Sequence, residues 1–372
     1  MKREETLAGR LSRLRSAIEE AGLDGFLVTG ADPVRYLTGF AWGHHGYLVV
    51  TGERAVLVVR PTEYQEAQEE AQGVGVVLGQ GTSGAEQAAA EALRGSGRVG
   101  FDPGALSFSN WECLGRLVSP GTELVSRGEL LAELRAVKEP GEIESIRQAA
   151  GIYDRALEEV VPKLTVGMTE LEITARLEYA CRLAGAEGFW FPSIVASGPR
   201  SALPHGLGTA RRVGPGEPLV IDMGPIFGGV PSDATRTVFV QPPGPAIREV
   251  YAVVLGAQQA ALEVLREGVP CSEVDRAARR VIDAAGYGEH FNHPVGHGVG
   301  GPPVVGPDVD RPLIAGMVIT VEPGIYLPGR GGVRIEDTVA ITSGGCEVLH
   351  RYPKTLTVAG NSTDDRQGVS DN

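Results

Sequence analysis

Four acidic side chains and one histidine stand in segments where a folded chain normally keeps apolar residues. Asp222 lies in Val220-Ile-Asp-Met-Gly224, Asp233 opens the run Asp-Ala-Thr-Arg-Thr237, Glu322 ends Val318-Ile-Thr-Val-Glu, and Glu336 ends Val333-Arg-Ile-Glu. His297 sits in Gly296-His-Gly-Val-Gly300. The β-branched runs read as core strands. An ionised carboxylate in a packed interior is costly unless it is paired, hydrogen-bonded or bound to a cation. The chain must therefore fold so that each acid finds its own partner, or so that all converge on a shared divalent cation or two. The second solution favours a hydrolase site over a scaffold.

The 372 residues are enough for two domains, since single cores stop growing near ~250–300 residues. Glycine, at 52 residues, is about twice its usual ~7% share and shows no three-residue period, which excludes collagen and implies many turns. A net charge of −13 argues against a nucleic-acid partner, which needs a concentrated basic face. The charged start and the lack of a long apolar run predict no membrane span and a cytoplasmic location. Cys113, Cys181, Cys271 and Cys346 are too scattered for a CxxC pair and read as free, small apolar residues.

Leu7, Leu11, Leu14 and Ile18 recur at helical spacing over 4–21, and 25–29 reads as a strand. Strands at 47–50, 55–59, 74–78 and 98–101 alternate with helices near 62–72, 83–94 and 107–117, an α/β pattern with a mixed sheet. Lys138-Glu-Pro-Gly141 marks a domain boundary, giving 1–134 and 135–359, with 360–372 too polar to be ordered. The second domain reads as two helices (140–162, 169–185), strands over 189–240, two more helices (245–267, 272–285), and strands over 292–349. This is an α+β unit that looks duplicated, without a strong residue-level repeat.

An antiparallel hairpin would bring Asp222 and Asp233, 11 positions apart, onto neighbouring strands; a surface hairpin with solvated acids is the alternative. The glycines around His297 clear space for close approach to a bound atom, although a histidine in a glycine loop is more often structural. Glu322 and Glu336 could each instead form a core salt bridge, with Arg334 as partner to one of them.

Together, in the contexts IDMG, SDATRT, GHGVG, VEPGIY and VRIEDT, these five residues resemble the dinuclear-metal site of the pita-bread metallopeptidases: aminopeptidase P, prolidase and methionine aminopeptidase. Tyr36-Leu-Thr-Gly39 and Lys138-Glu-Pro-Gly-Glu-Ile143 are similar to the creatinase-like N-terminal domain and hinge of the proline-specific branch, so the resemblance covers the whole chain. It implies an N-terminal creatinase-like domain and a C-terminal pita-bread catalytic domain. It also implies two divalent ions per subunit, Asp222 on one, His297 and Glu322 on the other, and Asp233 and Glu336 bridging. By the same resemblance His205 transfers a proton near the scissile nitrogen, and His293, Arg334 and Tyr326 line or support the substrate pocket. One departure stands out. The family places a second histidine seven residues after the metal-binding one, and here that position is Val304.

The implied reaction is hydrolysis of an N-terminal Xaa-Pro bond, with Glu322 carrying a proton. Four carboxylates and one imidazole suit Mn²⁺, with Zn²⁺ or Co²⁺ tolerated. No long insertion in 30–60 blocks the pocket beyond the second residue, which favours aminopeptidase P over prolidase. A creatinase-like hydrolase and a non-catalytic peptide-binding module are the further alternatives. The proline-specific relatives also imply a homodimer in which Trp42 and one of His44 or His45 help close the partner's site.

Overall fold

The computed structural model describes residues 3–41, 46–81 and 83–359. Trp42, His44, His45 and the tail from 360 lie outside them, and with them the expected closure in trans and the expected disordered tail. The chain divides into two compact units, Met1–Arg135 and Ala136–Asn372.

In the N-terminal unit α1 (Arg3–Glu20) leads to β1 (Gly25–Val28), α2 (Ala31–Thr38), β2 (Tyr47–Thr51) and β3 (Ala55–Val59). It continues through α3 (Tyr64–Glu70), β4 (Gly75–Leu78), α4 (Gly84–Ala92), β5 (Arg98–Phe101), α5 (Phe108–Leu117), β6 (Glu123–Ser126) and α6 (Gly128–Ala136). The strands form one mixed sheet in the order β4-β3-β2-β1-β5-β6. Leu7, Leu11, Leu14 and Ile18 are all buried, as their spacing predicts for one face of α1. Separate apolar clusters form on Phe26, Leu48 and Leu57 and on Leu27, Val49 and Val58, because alternate residues of each strand face opposite sides of the sheet.

The C-terminal unit begins with α7 (Pro140–Val160) and α8 (Glu170–Leu183), each opened by a reciprocal capping box. Then come β7 (Gly188–Phe189), β8 (Ile194–Ser197), β9 (Pro218–Met223), β10 (Pro225–Phe227), β11 (Val230–Pro231) and β12 (Ala234–Phe239). The second half repeats the order. Helices α9 (Pro245–Val264) and α10 (Cys271–Ala284) precede β13 (Gly296–His297), β14 (Val304–Val305), β15 (Val318–Val321) and β16 (Gly324–Leu327). After them come β17 (Gly331–Arg334), β18 (Asp337–Ile341), β19 (Cys346–Val348) and β20 (Thr357–Val358). Antiparallel β9–β12 forms the centre of one sheet, and in another β15 pairs antiparallel with the middle strand β18. Ile146 and Ala150 of α7 pack with Val299, Val318, Ala340 and Leu349, which places that helix behind the strands that carry the acids.

The duplication has a residue-level trace that the sequence reading passed over. Each of these strand pairs has one acid at the end of its first strand (Asp222 in β9, Glu322 just after β15) and one just before its second (Asp233, Glu336). Two residues beyond each of the latter stands a threonine, and the two threonines cross-link the halves. Thr235 Oγ1 donates to Glu336 Oε2 (2.7 Å), while the Glu336 N–H donates to the Thr235 carbonyl (3.0 Å). Thr338 Oγ1 donates to the Asp233 carbonyl (2.7 Å) and accepts from the Asp233 N–H (2.9 Å).

Candidate metal centre

The five side chains meet on one cavity of about 980 Å³, which is also lined by His205, His293, Arg334, Trp190, Leu207 and Val304. Asp222 is opposite Thr235 in the β9–β12 ladder, so Asp233, two residues before Thr235, faces the same side of the sheet. Both aspartates are buried, which removes the solvated-hairpin alternative. Donor atoms of Asp233, His297 and Glu336 all lie within 4.8 Å of one another. Glu322 joins them, with His297 Nε2 3.3 Å from its Oε1 and 3.6 Å from Asp233 Oδ2. His297 Nδ1 lies 3.3 Å from the Gly298 carbonyl, to which it can only donate. In that tautomer the Nε2 lone pair faces the carboxylates.

Charge in this cluster is poorly balanced by protein alone. Burial, reinforced by the charges of Glu336, Asp222 and Glu322, holds the Asp233 carboxyl well above its ordinary range, with Arg334 opposing. Burial and the neighbouring carboxylates do the same to Glu336, and burial pushes Glu322 up to about 7. Asp222 is also raised by burial despite its pairing with Arg334, and its buried Oδ1 has no hydrogen-bond partner among the described residues. Four carboxylates, one of them with an orphaned oxygen, and one imidazole in a shared cavity are a donor set that fits a hard divalent cation.

Arg334 pairs with Asp222, where a glutamate was the expected partner. All three of its nitrogens are engaged: Nε donates to Thr235 Oγ1 (2.9 Å), Nη1 to the Pro204 carbonyl and to the Tyr326 hydroxyl (3.0 Å each), and Nη2 to Asp222 Oδ2. Tyr326 lies 2.9 Å from His293 Nε2, and His293 Nδ1 lies 2.8 Å from the Pro294 carbonyl. The carbonyl can only accept, so Nδ1 carries the proton and the Tyr326 hydroxyl donates to Nε2. Burial, with the positive charges of Arg334 and Arg279 adding to it, lowers His293 to about 4 and keeps it neutral.

The glycines beside His297 do a different job from the one expected. A Cβ at Gly296 would lie 2.0 Å from the Thr320 carbonyl oxygen, and one at Gly298 would lie 2.3 Å from the Gly301 and Pro302 carbonyl oxygens. They admit neighbouring backbone, and so seat the His297 strand against β15, without opening space for a bound atom. Val304 is the direct cross-strand partner of His297 and is half exposed on the cavity wall. On the ring's other contact, Trp190 meets it edge-on with centroids 5.7 Å apart. Trp190 escaped the sequence reading, although Gly188-Phe-Trp-Phe-Pro192 is an aromatic run of the kind that lines clefts.

A buried, oxygen-rich metal-type centre on a duplicated α+β unit, reached from an apolar cavity, is the architecture of a metal-dependent hydrolase. Residues 144–343 match metallopeptidase family M24, and residues 10–137 match the creatinase/prolidase N-terminal domain. A relative from Pyrococcus furiosus named Xaa-Pro dipeptidase is 37% identical, over 93% of this chain and 99% of its own. The solved Xaa-Pro dipeptidase from Bacillus anthracis superposes with a TM-score of 0.89 at 35% identity, over 95% and 99% of the two chains. The X-Pro aminopeptidase from Thermotoga maritima gives 0.86 at 33% identity, over 94% and 99%. The chain belongs to metallopeptidase family M24. It is a hydrolase that uses divalent metal.

Proposed function

We propose that this protein is an Xaa-Pro dipeptidase, cleaving the bond before proline in dipeptides. The observation that carries the reading is the convergence of Asp222, Asp233, His297, Glu322 and Glu336 beneath a cavity that also presents His205. The expectation of aminopeptidase P gives way here, because the relative at 37% identity and the structure at TM-score 0.89 both carry the dipeptidase name. Absence of an insertion in 30–60 is a poor guide, since pocket depth can be set by side chains anywhere around the cavity. The Thermotoga maritima likeness keeps aminopeptidase P as the second reading.

In this reading Asp222 would hold one ion, His297 and Glu322 the other, and Asp233 and Glu336 would serve both, with Mn²⁺ favoured by the oxygen-rich set. When bound, the pair supplies Lewis acidity, polarising the substrate carbonyl and making water a usable nucleophile near neutral pH. Glu322 has its Oε1 engaged by Thr320 (3.0 Å), leaving Oε2 to take the proton of the attacking water. His205 is exposed on the cavity wall and makes no hydrogen bond among the described residues, so its ring is free to give a proton to the leaving imide nitrogen. Arg334, locked by its fork, keeps Asp222 oriented and opposes the upward push of burial on its carboxyl. Trp190, Leu207 and Val304 offer apolar surface for a proline ring, whose fixed φ and missing N–H set it apart from other residues.

Residues 1–134 serve as the accessory domain and 135–359 as the catalytic one. The protein is further proposed to be a cytoplasmic homodimer; among the described residues no helix is long and apolar enough to cross a membrane. The test is an assay of Mn²⁺-loaded enzyme on Ala-Pro, Leu-Pro and Ala-Pro-Ala. Dipeptide turnover with the tripeptide at least about tenfold poorer is expected; equal or better tripeptide cleavage restores aminopeptidase P.

A further inference from the structure

Residues 197–209 bring His205 and Leu207 to the cavity, yet beyond the end of β8 they contain only a short 3₁₀ turn, Gly198–Ala202, a single antiparallel bridge from Leu207 to Ile194, and irregular chain. One isolated bridge cannot fix a segment of this length, so side-chain bonds must hold the rest. Here the bonds converge on the Glu170 carboxylate, whose side chain is fully buried at the first turn of α8. Oε1 accepts from the Ser197 N–H (2.8 Å) and Ser197 Oγ (2.9 Å). Oε2 accepts from Arg200 Nε (3.1 Å), the Thr209 N–H (3.0 Å) and Thr209 Oγ1 (2.7 Å).

A carboxylate offers roughly four lone-pair sites, so these contacts saturate it. They tie both ends of the segment to one point on a helix whose other side is anchored by buried Ile173, Leu177 and Cys181. Arg200 extends the hold inward, Nη2 donating to the Leu207 carbonyl at 2.6 Å. Around His205 itself, Pro204 is held by Arg334, and Gly206 lies so near β8 that a Cβ there would come within 2.9 Å of the Ala196 methyl. The loop that carries the imidazole is thus closed by Glu170 at its ends and backed by the sheet in its middle.

We propose that Glu170 is a positioning residue for His205, fixing the loop so that the imidazole stands at the leaving nitrogen. This rests on the proton-transfer role given to His205 above. A carboxylate that merely stabilised the fold would lower the melting temperature and leave turnover alone. One that positions His205 lowers kcat while sparing KM and metal content, and its effect vanishes once the imidazole is gone.

The experiment is a double-mutant cycle on the metal-loaded enzyme with Ala-Pro, using Glu170→Gln, Thr209→Val, His205→Ala and the two doubles, with metal content measured for each. Thr209→Val removes a single hydroxyl and carries the cycle if Glu170→Gln does not fold. Full metal content, near-unchanged KM and a fall in kcat of about 10- to 100-fold for Glu170→Gln, smaller for Thr209→Val, are expected from a misplacement of about 1 Å. In the His205→Ala background neither should cost more. In parallel, imidazole ¹H–¹⁵N spectra of the metal-free protein, with seven histidines to resolve, should show the His205 signal moved or broadened by Glu170→Gln. Multiplicative losses in the cycle, or an unmoved His205 signal, overturn the proposal. Should His205→Ala keep full turnover, the proton-transfer reading fails by itself, and the spectrum still decides whether Glu170 positions the ring.

Discussion

Asp233 shows how a residue can be chosen for a ligand against the interest of the empty fold. It faces three other carboxylates and one opposing guanidinium, and its pKa is raised. For an acid, a folded-state pKa above the unfolded one means that folding is penalised wherever the unfolded chain is ionised, which includes neutral pH. Asp233→Asn keeps the shape and removes the charge. The metal-free variant should therefore melt at or above metal-free wild type, by roughly 2–4 °C for each kcal/mol relieved, while losing metal uptake and activity. A metal-free variant that melts well below wild type, measured calorimetrically in chelator, would mean that the carboxylate is a structural partner. The acids were legible because charge inside β-branched runs breaks the expected pattern. Glu170 was not, because Thr169-Glu-Leu-Glu172 reads as a helix start in which either glutamate could cap; Glu172 does, and Glu170 is released to hold the His205 loop. Val304 stands opposite His297, at the position where the family resemblance implies a histidine donor. Val304→His should raise kcat on Xaa-Pro dipeptides, by at most about 10²–10³-fold, the value of one transition-state donor. Unchanged turnover would show that the apolar wall serves the substrate better than a donor there.

Among elements, those with strong periodicity were legible and short edge pieces were not. Helix α1 and the long helices α7 to α10 follow their patterns, whereas α2, eight residues with Pro33 near its start, and β6, an edge strand of half-buried and exposed residues, carry too little signal. What joins elements is harder still to read. Asp154 of α7 accepts from the Arg351 N–H (2.6 Å) and lies 3.4 Å from His350 Nδ1, beyond β19, while its neighbour Tyr153 donates to the Ile221 carbonyl of β9 (3.0 Å). These partners are 197 and 68 positions away in sequence, out of reach of any local pattern. Burial works to raise the Asp154 pKa, but His350 and the backbone N–H groups outweigh it and the net shift is downward. A depressed carboxyl contributes stability above its unfolded pKa of about 3.9 and loses it as pH falls through the folded value. Asp154→Asn should thus be less stable than wild type at pH 7, with the gap closing below about pH 4. Urea midpoints across that range measure it, and a gap independent of pH would assign the effect to packing.

At the scale of the molecule, chemistry and scaffold are unevenly divided. All five metal-capable residues, the Arg334 fork and His205 belong to the Ala136–Asn372 unit, and the strand pairs that present them are tied together by Thr235 and Thr338. The Met1–Arg135 unit has its own sheet and its own apolar clusters on both faces. A ligand stabilises whatever must stay folded to bind it, by RT ln(1 + [L]/Kd), about 2.7 kcal/mol at a hundredfold excess over Kd. Metal should therefore slow hydrogen exchange where its donors are anchored, in β9, β12, β15 and β18 and in α7 packed behind them. Strands β1 to β6 should exchange at the same rate with metal or chelator. Exchange of the full chain followed by mass spectrometry reads both at once. Metal-dependent protection that reached β1–β6 as strongly as β9 and β12 would show that the two units open together, and that the metal centre supports the stability of the whole chain.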